Sequence, residues 1–233
     1  MHVALITGGS RGFGRAVAAD LVTEGWTVVI DGRDVAALAE VAEQLAGSPG
    51  QVVVVPGDVT VAPHRDALVS AARAHGRLDL LVNNASTLGP SPLPRLSRYP
   101  LTALEEVYRV NVVAPLALIQ RALPLLVASG GAVVNISSDA AVEGYEGWGG
   151  YGSSKAALDQ LGRVLAAEHP DLRVYGFDPG DMRTQMHQDA FPGEDISDRP
   201  EPETVVPSLR RLLQESPPSG RYRAADLAVG ARP

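Results

Sequence analysis

Apolar residues along this chain fall into short unbroken runs that alternate with stretches of helical periodicity. "HVALIT" ends at a glycine-rich turn, and "GRAVAADLVTEG" follows with apolar positions three and four apart, closing at Gly25. The alternation continues through "TVVI", a helix expected near 34–46, "QVVVV", a helix near 63–74, and "LDLLV". A long helix is expected over 103–127, then a strand at "AVVNIS", a helix over 151–168 and a strand at "LRVYGF". Runs that are apolar on both faces need cover on both sides, which a parallel sheet between two helical layers provides. The pattern predicts such an α/β fold with six parallel strands, and a short strand near "RYRAA" after a helix at 201–215 makes a seventh. Residues 185–200, with Pro192, Gly193 and Pro200, read as a mobile excursion.

At 233 residues with 45% hydrophobic content, the chain can bury one sizeable core, and a single domain over 1–233 is expected. A net charge of -7 without a basic run argues against nucleic acid or an anionic membrane as partner. The absence of cysteine removes disulfides and thiol catalysis. "MHVALITGG" has neither a basic region nor a long apolar stretch, and no segment reads as a membrane span, so a cytoplasmic location is expected. The five histidines lack HExxH or paired short spacings, so no metal site is expected.

The first turn, "TGGSRGFG" at 7–14, places Gly8, Gly12 and Gly14 between a strand and a helix. Missing side chains there permit a tight turn and let backbone amides approach a dinucleotide pyrophosphate, although the spacing is wider than GxGxxG. The second strand ends in "VVIDGRD". Free ribose hydroxyls favour an acidic acceptor there, and Asp31 can supply one, whereas a 2'-phosphate wants positive charge. Arg33 and Arg11 can converge on that phosphate, so NADP(H) is favoured with NAD(H) as the alternative.

Lys155 is the only lysine in the chain, against nineteen arginines. One helical turn earlier stands Tyr151, on the same face. A nearby ammonium favours the phenolate and is expected to lower the Tyr151 pKa, fitting it to exchange a proton with a carbonyl or alcohol oxygen. Lysine's compact head on a flexible stem suits contact with a cofactor ribose better than arginine's rigid fork.

In combination, "TGGSRGFG", Asp58-Val59, "NNAS", Asn111, "ISS", "YGSSK" and "DPGDMRT" occur in an order and spacing that resemble the short-chain dehydrogenase/reductase family. The resemblance covers residues 3–184 strongly. It implies a doubly wound Rossmann-like fold, NAD or NADP binding, and hydride exchange with a carbonyl or alcohol substrate; the alternatives are an NAD-dependent alcohol dehydrogenase and a non-catalytic dinucleotide-binding protein. Carried over, the catalytic residues would be Asn111, Ser138, Tyr151 and Lys155. Ser138 would steady the substrate oxygen, with Ser137 as competitor, and Asn111 would shape its helix and support a proton-relay water. Cofactor contacts would come from Gly8, Ser10, Arg11, Gly12, Phe13 and Gly14 of the turn, from Arg33, Asp58, Val59, Asn83 and Ala85, and from Tyr151 and Lys155. Pro179, Gly180 and Thr184 would flank the nicotinamide. A glycine usual in the family is Ser86 here. Family members commonly assemble as tetramers or dimers through the helices at 103–127 and 151–168; a homotetramer is expected, with a dimer as alternative.

The substrate is less legible. "STLGPSPLPRLSRYP" is proline-rich and suits a rigid pocket wall. Leu88, Leu93, Trp148 and Met182 are candidates for apolar lining, Glu143 and Tyr145 for polar contacts, and Asp181 and Arg183 for a local pair or a polar substrate contact.

Overall fold

A computed structural model describes residues 1–228. The doubly apolar runs become β1 (Val3–Ile6), β2 (Thr27–Gly32), β3 (Gln51–Pro56), β4 (Leu80–Asn83), β5 (Ala132–Ile136) and β6 (Arg173–Asp178), and β7 (Gly220–Arg223) adds the seventh strand. They form one sheet in the order β3-β2-β1-β4-β5-β6-β7, with every neighbour parallel.

Alternation along the strands explains the two layers. Ala4 and Ile6 of β1 pack with Phe13, Val17 and Leu21 of α1 (Gly12–Thr23). Val3 and Leu5 face the opposite layer, where Leu68 of α3 (Ala62–Arg73) sits. Each fully buried Leu, Ile or Val side chain contributes about 1.5–3 kcal/mol. A one-residue slip would exchange the two faces of a strand, so the register is strongly fixed. The strand order reverses between β1 and β4, which opens a crevice beyond the carboxyl ends of these strands. α2 (Val35–Gln44) connects β2 to β3.

The long helix expected over 103–127 runs from Leu101 to Ser129. It comprises α4 (Leu101–Tyr108), a π-helical turn at Arg109–Val113, and α5 (Ala114–Ser129), and it ends at Gly130 with φ 61°. One 18-residue window within it has a mean hydropathy of 1.7, long and apolar enough to cross a membrane by length and composition alone. In this fold the helix uses Leu118, Ile119, Ala122 and Leu126 to cover the sheet, while Leu101, Val113 and Val127 stay exposed.

α6 (Gly149–Glu168) begins just before the expected position. The 185–200 excursion is partly ordered as α7 (Gln185–Ala190), because the Thr184 hydroxyl caps it by accepting the His187 amide at 3.2 Å. α8 (Pro202–Glu215) packs its Leu209 and Leu212 into the α1 layer, and α9 (Ala224–Leu227) follows β7.

Candidate active site

The carboxyl ends of β1, β2, β4, β5 and β6 surround a cavity of about 820 Å³. At its floor Gly8 turns the chain with φ +67°, and its amide donates to Asp31 Oδ1 at 2.7 Å. Gly14 packs behind the turn: a Cβ there would stand 2.4 Å from Asn84 Nδ2 and 2.5 Å from the Gly8 carbonyl, so no larger residue fits. Gly8, Ser10, Arg11, Gly12 and Phe13 line the cavity where the first turn of α1 presents its amides. This cradle fits a dinucleotide pyrophosphate.

Arg33, Asp58, Val59 and Ala85 also line the cavity. The carboxylate of Asp31 is already engaged on both oxygens, since Oδ2 lies 3.0 Å from His64 Nε2 while Oδ1 holds Gly8. Among the described residues, neither the Arg11 nor the Arg33 guanidinium makes an ion pair or hydrogen bond. Burial works against ionisation of Asp58, but two hydrogen bonds from Thr60 and the charges of Arg33 and Arg109 outweigh it and hold the carboxyl below its ordinary range.

Asn83 does not line the cavity. As the last residue of β4 it turns into the sheet and donates to Asn135 Oδ1 at 2.8 Å. The crevice residue is Asn84, one step beyond the strand, whose Nδ2 donates to the Thr7 carbonyl at 2.8 Å. The second asparagine of "NNAS" was the available signal.

Tyr151 and Lys155 rise from α6 into the same cavity. Lys155 is 2% exposed; its Nζ donates to the Ile136 carbonyl at 2.8 Å and lies 5.4 Å from the centre of the Tyr151 ring. Burial pulls the ammonium down to about 8, with Asp159 opposing. For Tyr151 the expected lowering is corrected: burial pushes the phenol well above its ordinary value, with Asp178 and Asp139 adding to the rise, against hydrogen bonding with Ser138 and Ser86. Desolvation of the charged form outweighs the neighbouring ammonium here.

The two serines after β5 face different ways. Ser137 Oγ donates to the buried Asp159 at 2.7 Å, whereas Ser138 lines the cavity with Tyr151 and donates to Asp139 Oδ1 at 3.0 Å. Asn111, inside the π-helical turn, is 1% exposed and lies off the cavity. Its Nδ2 donates to the Thr87 carbonyl and to Ser154 Oγ, and its Oδ1 accepts from Ser86 Oγ and the Thr87 amide. The side chain therefore braces the 86–87 segment against α6, and all its polar capacity goes to protein. Ser86, a departure from the family glycine, donates to Asn111 Oδ1 and lines the cavity with Tyr151.

Pro179, Gly180 and Thr184 border the cavity's far end, with Leu88, Trp148 and Met182 as apolar lining. Trp148 stands edge-on to Tyr151 with ring centres 5.8 Å apart. Leu93 packs with the small cluster beneath Tyr151 and Leu88. Glu143 and Tyr145 are outside the cavity lining. Asp181 and Arg183 do not pair with each other: Arg183 meets Glu201, and Asp181 faces His187 and Arg199, each at 3.7 Å.

Comparison with known proteins agrees with this geometry. The family described as short chain dehydrogenase matches residues 2–195. Rat (Rattus norvegicus) sepiapterin reductase is 37% identical over 199 residues, covering 80% of this chain and 76% of that protein. A short-chain dehydrogenase structure from Escherichia coli CFT073, complexed with NADPH, superposes with TM-score 0.87 at 31% identity, covering 96% of both chains. The alcohol dehydrogenase of Thermococcus sibiricus, complexed with 5-hydroxy-NADP, gives 0.86 at 26% identity over 96% of this chain and 95% of that one. With the parallel sheet, the glycine cradle and the buried tyrosine and lysine in one crevice, these matches make the chain a member of the short-chain dehydrogenase/reductase family, an NAD(P)-dependent oxidoreductase.

Proposed function

We propose that this enzyme reduces a small-molecule carbonyl with NADPH and that Tyr151 gives the proton to the carbonyl oxygen. The observation that carries this reading is the buried Tyr151 phenol, above Lys155 and sharing with Ser138 the cavity that also holds the glycine cradle. When bound, the nicotinamide cofactor supplies the hydride. Ser138 steadies the substrate oxygen beside the phenol. Lys155 holds the ribose and keeps positive charge under the ring, and Asn111 fixes Ser86 on the cavity wall. Asp58 accepts from the adenine amino group, with Val59 contributing backbone contact. Ala85, Pro179, Gly180 and Thr184 enclose the nicotinamide end.

A phenol whose pKa burial has raised keeps its proton at neutral pH, which suits an acid in carbonyl reduction. Tyr145 is the rival phenol, but it is 46% exposed, lies outside the cavity lining, and its hydroxyl is spent on Asp139 Oδ2 at 3.0 Å. NADPH preference is supported by two arginines on the cavity wall that are unpaired among the described residues and by the engagement of both Asp31 oxygens within the protein. The cofactors in the Escherichia coli and Thermococcus sibiricus structures point the same way. Turnover of a broad carbonyl and alcohol panel with both cofactors tests the reading: NADPH-dependent carbonyl reduction supports it, and activity confined to NAD with alcohols overturns it.

Lys155 loses its charge as pH rises through about 8. Since its folded pKa is depressed, the charged form exists below that value, so the reduction rate is expected to fall on the basic side of pH 8. A rate flat from neutrality through a full unit above 8 would remove Lys155's charge from the mechanism.

The catalytic unit is read as one domain over 1–233, of which 229–233 lie outside the described residues. It is assigned to the cytoplasm as a homotetramer, with a dimer as alternative. Assembly is supported by Leu101, Val113 and Val127 on the long helix and Val164 on α6, all exposed, and by the burial of only 39% of the apolar window. Light scattering should give a multiple of the 24.4 kDa chain mass. A fully active monomer would contradict the assembly.

A further inference from the structure

Behind the proposed catalytic group lies a buried set of charges that the mechanism above does not use. Tyr151, Lys155 and Asp159 recur every four residues on α6 and so share its inner face. Consecutive residues of the β5 end receive the last two: the Ile136 carbonyl accepts from Lys155 Nζ at 2.8 Å, and Ser137 Oγ donates to Asp159 Oδ2 at 2.7 Å. Opposite, on β6, a Cβ at Gly176 would stand 2.9 Å from Asp159 Oδ1, so the glycine leaves room for the carboxylate. Arg221 reaches in from β7. Its Nε lies 3.3 Å from Asp159 Oδ2, and its Nη2 donates to Asp178 Oδ2 at 2.7 Å and to the Ser138 carbonyl at 2.9 Å. Asp178 in turn accepts the Gly180 amide at 3.0 Å.

Charge accounting shows what is missing from that cluster. Asp159 and Asp178 are two buried carboxylates, and Arg221 offsets one of them. An unbalanced buried charge costs several kcal/mol, so the remaining carboxylate either takes a proton or sits near a cation. Lys155 is the buried cation on the same helix face, while Arg163, which also acts on Asp159, is exposed. We propose that Asp159, on the same buried helix face but out of direct salt-bridge contact with Lys155, is its counter-charge, and that Ser137 and Arg221 hold this carboxylate in place, so that the C-terminal strand positions the charge beneath Tyr151. Asp159 and Arg221 are positioning residues. The ammonium feels Asp159 as the charge opposing its desolvation, and Asp159, raised by burial, is drawn back by Ser137, Arg221, Lys155 and Arg163.

The catalytic importance of this pairing rests on the function proposed above, but the pairing itself can be tested without any substrate. Because Lys155 is the only lysine, the full-length protein grown with [ε-13C]lysine carries one labelled side chain. Its carbon resonance, followed against pH, should give a midpoint near 8 in the wild type. Asp159→Asn should lower that midpoint by about one unit, because the ammonium loses its anion. Asp159→Ser removes the same charge with a smaller side chain and gives the same fall if the amide is not accommodated. In Arg221→Gln, the Asp159 carboxyl, read from [γ-13C]aspartate, should titrate at higher pH than in the wild type. An unchanged lysine midpoint in a folded Asn or Ser variant overturns the electrostatic coupling of Asp159 to Lys155, and an unchanged Asp159 titration in Arg221→Gln overturns the role of Arg221. Neither result depends on whether Tyr151 is the proton donor, which the activity of Tyr151→Phe decides separately.

Discussion

The Tyr151→Phe enzyme is expected to lose about 100- to 10,000-fold in carbonyl reduction rate while keeping its fold and NADPH affinity. The substitution removes one hydroxyl and nothing else. The ring keeps its edge-on contact with Trp148, and the Lys155 ammonium keeps its bond to the Ile136 carbonyl. What disappears is the proton held close to Ser138 and Ser86. Single-turnover rates together with thermal unfolding check this. A variant that unfolds at the wild-type temperature but has lost turnover supports proton donation, whereas near-normal turnover would exclude it.

Substituting Arg11 or Arg33 with Ala should weaken NADPH binding by about 10- to 100-fold, the scale of a hydrogen bond between charged groups, and leave NADH nearly unaffected. Both guanidiniums border the cavity without a carboxylate partner among the described residues. Only the phosphorylated cofactor offers them a 2'-phosphate. The carboxylate that would otherwise favour free ribose hydroxyls is held by Gly8 and His64, so NADH gains nothing in exchange. Fluorescence titrations with both reduced cofactors separate the outcomes. Equal weakening of the two would assign the arginines to the pyrophosphate or to the scaffold.

Local pattern made most of the fold legible, because strands that are apolar on both faces have few other places to go. Tyr151 and Lys155 were legible for a related reason: a helix places residues four apart on one face whatever the rest of the chain does. Long-range polar partners were not. Asp31 was visible as an acidic residue at a strand end, but its fate depends on His64, 33 positions away. Asn83 and Asn84 were indistinguishable until the end of β4 set which one turns into the sheet. The direction of the Tyr151 shift was misread because desolvation depends on how deeply the ring is packed, which helical spacing does not encode. Arg221 sits in a segment legible only as a short strand, and its link to Ser138 spans 83 positions.

The most direct measurement is the loss of reduced-nicotinamide absorbance from NADPH with a carbonyl panel, run side by side on the wild type, Tyr151→Phe and Tyr145→Phe. The account predicts that the wild type and Tyr145→Phe both oxidise NADPH with the same carbonyl and that Tyr151→Phe does not. Turnover retained by Tyr151→Phe, or lost in a folded Tyr145→Phe instead, would contradict it.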